Sequence, residues 1–208
     1  MGKRRGPPAM NRAVFLDRDG VLNAPIVRSG KPYPPQTLEE FLIYPEAVEA
    51  CVLLRQRGFL LVVVTNQPDV GRGTQSMEVV AAMHKYLQQT IPAIEWIEVC
   101  TAPDDSAPDA YRRKPAPGMV LDAAKVLEID LAHSYLVGDR WRDIDCGHAA
   151  GCTTFFVERC YNEELRRPPH HYVANLMEAA KLILSLEPPS SLSDDSMLTI
   201  TPIIPTLT

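Results

Sequence analysis

Ala13-Val14-Phe15-Leu16-Asp17-Arg18-Asp19-Gly20 is the stretch that decides how this chain folds. Its four apolar residues do not alternate with polar ones, which predicts a short strand covered on both faces, as in a parallel sheet. Open parallel sheets bind ligands just beyond the carboxyl ends of their strands, and Asp17 and Asp19 stand at that place. Two acids one residue apart can hold a hard cation and still leave one carboxylate for chemistry. Taken alone, the same tetrapeptide reads equally well as a turn, since Asp and Gly are ordinary turn residues.

Outward from this stretch, apolar runs alternate with segments of helical period, the pattern of an α/β fold with crossover helices. Strands are expected at 13–16, 60–64, 96–99, 135–137 and 153–157. Between the first two, Pro45 suits a first helical turn, Ala47, Cys51 and Leu54 share one face, and Gly58 can close the helix. A second helix should follow Ser76 with Val79, Val80, Met83 and Leu87 inward. A third should begin near Pro117 and bury Val120, Ala124 and Leu127, and two more are expected at about 141–150 and 176–186. Two irregular stretches interrupt the alternation: a proline-stiffened loop at 24–36 and a loop at 101–113 that is acidic, then basic. Long loops at the carboxyl edge of a sheet are frequently functional, and neither is large enough for a separate cap domain.

The 208 residues fit one domain of ordinary size, expected at 11–186, with a disordered basic leader at 1–10 and a tail at 187–208. Met10 is the expected natural start. A net charge of −5 argues against a broad nucleic-acid surface, so a nucleic-acid partner is not expected. The five cysteines are widely spaced and include no C-x-x-C pair, which disfavours a disulfide framework or a zinc cage. No run is long enough to span a bilayer and the N-terminus lacks a signal peptide's apolar core, so a cytoplasmic protein without a membrane partner is expected.

Three further segments follow strands or precede helices. Leu60-Leu61-Val62-Val63-Val64 ends in Thr65-Asn66-Gln67, a weak signal alone that equally suits a cap or turn. Tyr135-Leu136-Val137 ends in Gly138-Asp139-Arg140-Trp141-Arg142-Asp143, where either aspartate could cap the next helix or bind a metal. Between them, Arg112-Arg113-Lys114 precedes a helix N-terminus, suited to a phosphate or simply to a solvated basic turn. Together they supply what phosphate-ester hydrolysis demands. That reaction is extremely slow unaided, and a carboxylate attacks an anionic phosphate only if cations cancel the repulsion. Mg2+ with Lys114 would do so, and a second carboxylate can protonate the leaving oxygen and later take a proton from water.

Asp17-x-Asp19-Gly20, Thr65-Asn66, Lys114 and Gly138-Asp139-x-x-x-Asp143 resemble the four motifs of the haloacid dehalogenase (HAD) superfamily of phosphatases. More narrowly, LDRDGVLN, VVVTNQ, RKPAPGM and VGDRWRDI resemble the branch that contains histidinol phosphatases and D-glycero-D-manno-heptose 1,7-bisphosphate phosphatases, over roughly residues 14–186. The resemblance implies a Rossmannoid three-layer α/β sandwich, a parallel sheet with helices on both faces and no large cap. It implies Asp17 as nucleophile forming an aspartyl-phosphate, Asp19 as general acid then base, and Thr65 and Lys114 on the transferring phosphoryl group. Mg2+ would be held by the Asp17 carboxylate, the Asp19 backbone carbonyl and Asp139, with Asp143 behind them orienting a bound water. Arg113 and Arg140 match substrate-binding positions of the heptose enzymes, and Arg28, Asn66 and Gln67 join them as candidate substrate contacts.

In one respect the chain departs from that branch, whose loop before RKP usually holds zinc through a C-x-H pair and a C-x-C pair. Only Cys100 remains here; Ala102, Ala110 and Arg112 stand at the other positions. One thiolate cannot make a site that needs about four ligands, so no zinc is expected. His84 and His148 read as helix-surface residues, His133 as a turn residue, and His170 with His171 as a polar approach to a late strand. The expected function is therefore a Mg2+-dependent, monomeric phosphatase of a small soluble phosphate ester, most simply a heptose bisphosphate or another sugar phosphate. Histidinol phosphate is the next candidate substrate, followed by a polynucleotide 3′-phosphate. A receiver-like phosphorylation switch is the alternative from a different class.

Overall fold

Ala13–Leu16 (β1) is wholly buried because both faces of its sheet are covered. Val14 and Leu16 enter one hydrophobic layer, Ala13 and Phe15 the other. This is the parallel-sheet situation that an unbroken apolar run predicts. The computed structural model describes residues 10–187, so the expected leader and tail fall almost entirely outside the described residues.

After β1 the chain forms a small hairpin, Ile26–Arg28 (β2) against Lys31–Tyr33 (β3), then the helix Pro45–Gln56 (α1) and the strand Leu60–Asn66 (β4). A short helical turn, Pro68–Gly71 (α2), precedes Met77–Thr90 (α3) and the strand Ile94–Cys100 (β5). Gly118–Val126 (α4), Tyr135–Gly138 (β6), Trp141–Ala150 (α5) and Thr153–Val157 (β7) follow, and His171–Val173 (β8) and Leu176–Leu186 (α6) complete the order. Six strands make a parallel sheet in the order β5-β4-β1-β6-β7-β8. All five expected strands are present, and β8 adds an edge.

One face of the sheet packs on α1, α3 and α6 through side chains such as Leu54, Leu87 and Ile183; the other packs on α4 and α5 through Met119, Val120 and Cys146. The result is a three-layer α/β sandwich. Helix starts follow local chemistry: Ser76 Oγ accepts from the Val79 backbone N–H at 3.2 Å, and Asn175 Oδ1 from that of Glu178 at 2.9 Å. Phe15 is completely buried between sheet and helices, and truncating such a ring to alanine costs about 3–5 kcal/mol.

Three expectations are corrected. The stretch 24–36 is not simply a loop but carries the β2–β3 hairpin, whose Ser29 (φ 50°) and Gly30 (φ 72°) make the left-handed two-residue turn that hairpins favour. Pro32 hides it in the sequence; a two-stranded ribbon has free edges and tolerates a proline that a central strand would not. Likewise, the stretch 101–113 contains a single helical turn at Ala110–Arg112. His84 does not sit on the outer surface of α3 but points inward and is only 8 % exposed.

Candidate active site

β1 lies between β4 and β6, so the chain leaves the sheet to opposite sides from neighbouring strand ends, where α/β sheets open a crevice. Asp17 and Asp19 follow β1, Thr65 and Asn66 end β4, and Asp139 follows β6. Lys114 reaches the same point from the loop before α4. A cavity of about 280 Å³ opens there, lined by Asp17, Asp19, Asn66, Lys114 and Asp143, while Thr65 and Asp139 stay out of its lining.

Lys114 is the hub. Its Nζ lies 2.8 Å from Asp17 Oδ1 and 2.6 Å from Asp143 Oδ1, and donates to the Val64 carbonyl at 2.7 Å. Burial opposes its charge, but Asp143 and Asp17 outweigh that penalty and raise its pKa above the usual lysine range. Asn66 fixes the backbone of this residue from both sides, donating to its carbonyl at 3.0 Å and accepting from its N–H at 3.1 Å.

Asp17, Asp139 and Asp143 each offer a carboxylate oxygen within 4.8 Å of the others. Three buried carboxylates thus face one ammonium. Burial pushes Asp17 up to about 6, with Asp143 adding and Lys114 opposing. Asp139 is raised well above the ordinary carboxylate range, first by burial and then by the charges of Asp17 and Asp143. Both its carboxylate oxygens are buried with no cation and no well-formed hydrogen bond among the described residues, the neutral Tyr161 hydroxyl being the donor beside them. Gly20, at φ +95°, makes room for this carboxylate: a Cβ there would lie 1.8 Å from Asp139 Oδ2. A buried anion left bare in this way is costly unless a cation completes the set, and an oxygen-only donor group suits a hard divalent ion. Asp143 is already committed: besides Lys114, its Oδ2 accepts from the Arg140 backbone N–H at 3.0 Å.

Asp19 has the opposite surroundings. Its Oδ1 accepts from Arg18 and from Asn23 Nδ2 at 2.9 Å, and its Oδ2 accepts from Arg18 Nη2 at 2.8 Å and Gln67 Nε2 at 3.0 Å. Gln67 also donates to Thr65 Oγ1 at 2.9 Å, leaving the buried hydroxyl free to donate. Gln67 therefore supports Asp19 and Thr65 from below and does not line the cavity.

The rim is basic. Arg72, Arg113, Arg140 and Arg142 all line the cavity. Arg140 is gripped by both carboxylate oxygens of Glu163 at 2.7 Å, and Arg113 donates to the Ala102 carbonyl at 2.9 Å. Arg28 lies outside the lining, against the ring of Tyr33, which does line it. Arg72, Arg142 and Glu163 were not anticipated. Arg142 lies within the GDRWRD segment, and Arg72 follows closely on TNQ, so proximity to a motif was the only signal for either.

The loop after Cys100 is held by the polypeptide itself. Arg72 Nη2 donates to the Pro103 carbonyl at 2.9 Å, Asp104 binds Ser106, and Arg112 pairs with Glu98 and, at 3.2 Å, with Asp122. Gly71 lets α2 approach closely, since a Cβ there would meet the Thr101 carbonyl at 2.1 Å. No helix among the described residues is long and apolar enough to cross a membrane.

Comparison with known proteins agrees with this geometry. The HAD-hydrolase-like family model matches residues 111–179. The D-glycero-D-manno-heptose-1,7-bisphosphate 7-phosphatase of Chlorobaculum tepidum is 33 % identical over 167 residues, covering 74 % of this chain and 81 % of that protein. The D-glycero-alpha-D-manno-heptose-1,7-bisphosphate 7-phosphatase of Burkholderia mallei is 33 % identical over 153 residues, covering 69 % and 78 %. The D-glycero-beta-D-manno-heptose-1,7-bisphosphate 7-phosphatase of Rhodopseudomonas palustris is 34 % identical over 155 residues, covering 70 % and 83 %. Among solved structures, the D,D-heptose 1,7-bisphosphate phosphatase of B. bronchiseptica, complexed with magnesium and phosphate, superposes with a TM-score of 0.70 at 28 % identity, covering 85 % of this chain and 99 % of that one. A buried acid cluster at the ends of central parallel strands, in a chain so related, makes this protein a phosphoric monoester hydrolase that belongs to the heptose-1,7-bisphosphate phosphatase family of HAD-like enzymes.

Proposed function

We propose that the chain removes one phosphate from a D-glycero-D-manno-heptose 1,7-bisphosphate, with Asp17 as nucleophile. The observation that carries this reading is the pairing of an acid cluster too negative for its single lysine with a rim of four arginines above it. The first suits chemistry on one phosphate, and the second suits an anion at the far end of the same substrate. Histidinol phosphate, whose far end is a cationic amine, would compete with these guanidinium groups for the carboxylates that pair with them, Asp69, Asp105 and Glu163, whereas a second phosphate would bind the guanidinium groups themselves.

In this reading Lys114 and the Thr65 hydroxyl bind phosphoryl oxygens. Asp17 attacks phosphorus and the bond to the sugar oxygen breaks, giving an aspartyl-phosphate and an alkoxide that takes the proton of Asp19, which must enter this step protonated and with one of its oxygens turned from its donors. Asp19 then takes a proton from the water that attacks the aspartyl-phosphate, releasing inorganic phosphate and restoring Asp17. Asp17, Asp139 and the Asp19 backbone carbonyl would hold Mg2+, which when bound neutralises charge on the phosphoryl oxygens. Asp143 orients Lys114 and the edge of that site. Arg113, Arg140, Arg72 and Arg142 hold the second phosphate, Asn66 fixes Lys114, and Arg28 steadies Tyr33 at the rim.

The loop contacts described above support a site shaped without zinc. The chain is read as a monomer, and five free thiols, four of them buried, support a cytoplasmic setting.

The test is a specificity comparison in Mg2+ with both heptose 1,7-bisphosphate anomers, heptose 7-phosphate and histidinol phosphate. The expected result is kcat/KM at least about 100-fold higher for one bisphosphate anomer than for histidinol phosphate. A preference for histidinol phosphate, or equal rates on mono- and bisphosphate, overturns it.

A further inference from the structure

We propose that His84 is a positioning residue for the proton carrier, acting on Asp19 through Arg18; this rests on the reading of Asp19 given above. Arg18 lies between the two aspartates of its motif and is completely buried. One edge of its guanidinium grips Asp19: Nε donates to Oδ1 at 3.2 Å, and Nη2 donates to Oδ1 and Oδ2 at 3.0 and 2.8 Å. The other nitrogen, Nη1, lies 3.1 Å from His84 Nε2 on α3. The ring of Phe41 covers its face, 5.3 Å from the central carbon.

The protonation of the histidine follows from its partner. A guanidinium has donors only and keeps its charge in proteins, so the facing imidazole nitrogen must be an acceptor. His84 is therefore neutral, with its proton on Nδ1. Burial, followed by the charge of Arg18, holds it in that form by depressing its pKa to about 4.

A long arginine side chain has many rotamers, and the guanidinium makes three of the five donor contacts on Asp19, the others coming from Asn23 and Gln67, so its seat bears directly on where that carboxylate lies. His84 fixes the corner of that plane farthest from Asp19, Phe41 fixes its face, and Gln67 ties the carboxylate to Thr65 on β4. Leucine at position 84 would leave a buried N–H of Arg18 without an acceptor, and the guanidinium would re-seat and carry Asp19 with it. Glutamine offers a carbonyl oxygen in its place.

The leaving group provides the discriminating readout. A sugar alkoxide needs a proton to depart, whereas p-nitrophenolate leaves without one, so misplacing the proton donor penalises the first ester more. In single-turnover measurements with Mg2+, H84L should slow phosphoryl transfer from the heptose bisphosphate by about tenfold or more, a part of what general acid catalysis supplies. The loss on p-nitrophenyl phosphate should be smaller, KM should stay within about twofold, and H84Q should recover most of the rate. Unchanged rates in H84L, equal losses on both esters, or H84Q as impaired as H84L would each overturn the proposal.

Should H84L fail to fold, the imidazole 15N spectrum of the wild-type enzyme decides. The signal that disappears in H84Q should show Nε2 without a proton near neutral pH, and a protonated Nε2 would refute the arrangement. D19N separates this inference from the reading beneath it. Wild-type rates on the heptose bisphosphate in D19N would remove Asp19 as proton carrier, whereas a crippled D19N beside an unaffected H84L would remove only His84.

Discussion

Asp17 and Asp19 are the same residue type two positions apart, yet the fold gives them opposite company. Asp17 lies in a cluster with too few donors, where Asp139 has no cationic partner among the described residues and only the neutral Tyr161 hydroxyl beside it, and Lys114 is shared with Asp143. Asp19 accepts from Arg18, Asn23 and Gln67 at once. The difference teaches that surroundings, not identity, divide the labour between paired acids. A carboxylate with unmet charge calls for a cation and an electrophile, while a carboxylate held in place by donors is a fixed point for moving a proton.

Breaking the two acids separately tests that division. D17N should lose more than about 10⁴-fold in kcat on every phosphate ester, because no bond to phosphorus can form. D19N should lose about 10³-fold on the heptose bisphosphate, and less in the single-turnover phosphoryl transfer from p-nitrophenyl phosphate. Equal losses for D19N on both esters in that step would dissolve the distinction between the residues.

The cation is the next point of attack. D139N should raise the Mg2+ concentration needed for half-maximal activity by about 100-fold, measured by metal titration. The pH dependence has a definite sign. Asp17 titrates near 6 in the metal-free fold against 3.8 ordinarily, so the folded state binds that proton more tightly. Its contribution to metal-free stability is present at low pH and lost as pH rises to about 6, where the carboxylates ionise against one another. Mg2+ must displace the proton, so the rise in Tm on adding Mg2+ should be larger near pH 7.5 than near pH 5. An equal rise at both would count against a cation shared by these carboxylates. At the rim the effect should be smallest: R113A should lower the preference for bisphosphate over monophosphate by about tenfold, mostly in KM.

How much of this could be read from the chain depended on the range of the interaction. β1, β4 and β6 and the residues at their ends were legible because each motif is a local string, and an apolar run followed by polar residues marks a strand and its mouth. The hairpin at 26–33 was masked by Pro32, which is permitted only because that ribbon is free-standing. His84 was misread because its neighbours Lys85 and Tyr86 look like a wet surface, while the partner that draws it inward lies 66 residues earlier. The contacts of Arg140 and Arg142 with Glu163 span 23 and 21 residues, and no local pattern announces them. Roles within the acid cluster were visible from the sequence only as a resemblance; that its charge exceeds what Lys114 can balance became visible only in three dimensions.

The division between the two acids can be read chemically. Substrate mixed rapidly with enzyme in Mg2+, quenched in acid and treated with borohydride converts an acyl-phosphate side chain to its alcohol, which peptide mass spectrometry locates. Homoserine at position 17, absent in D17N and absent without substrate, is the predicted outcome. Modification at Asp19, Asp139 or Asp143, or turnover by the wild type with no modified residue, would contradict the assignment of Asp17 as the nucleophile.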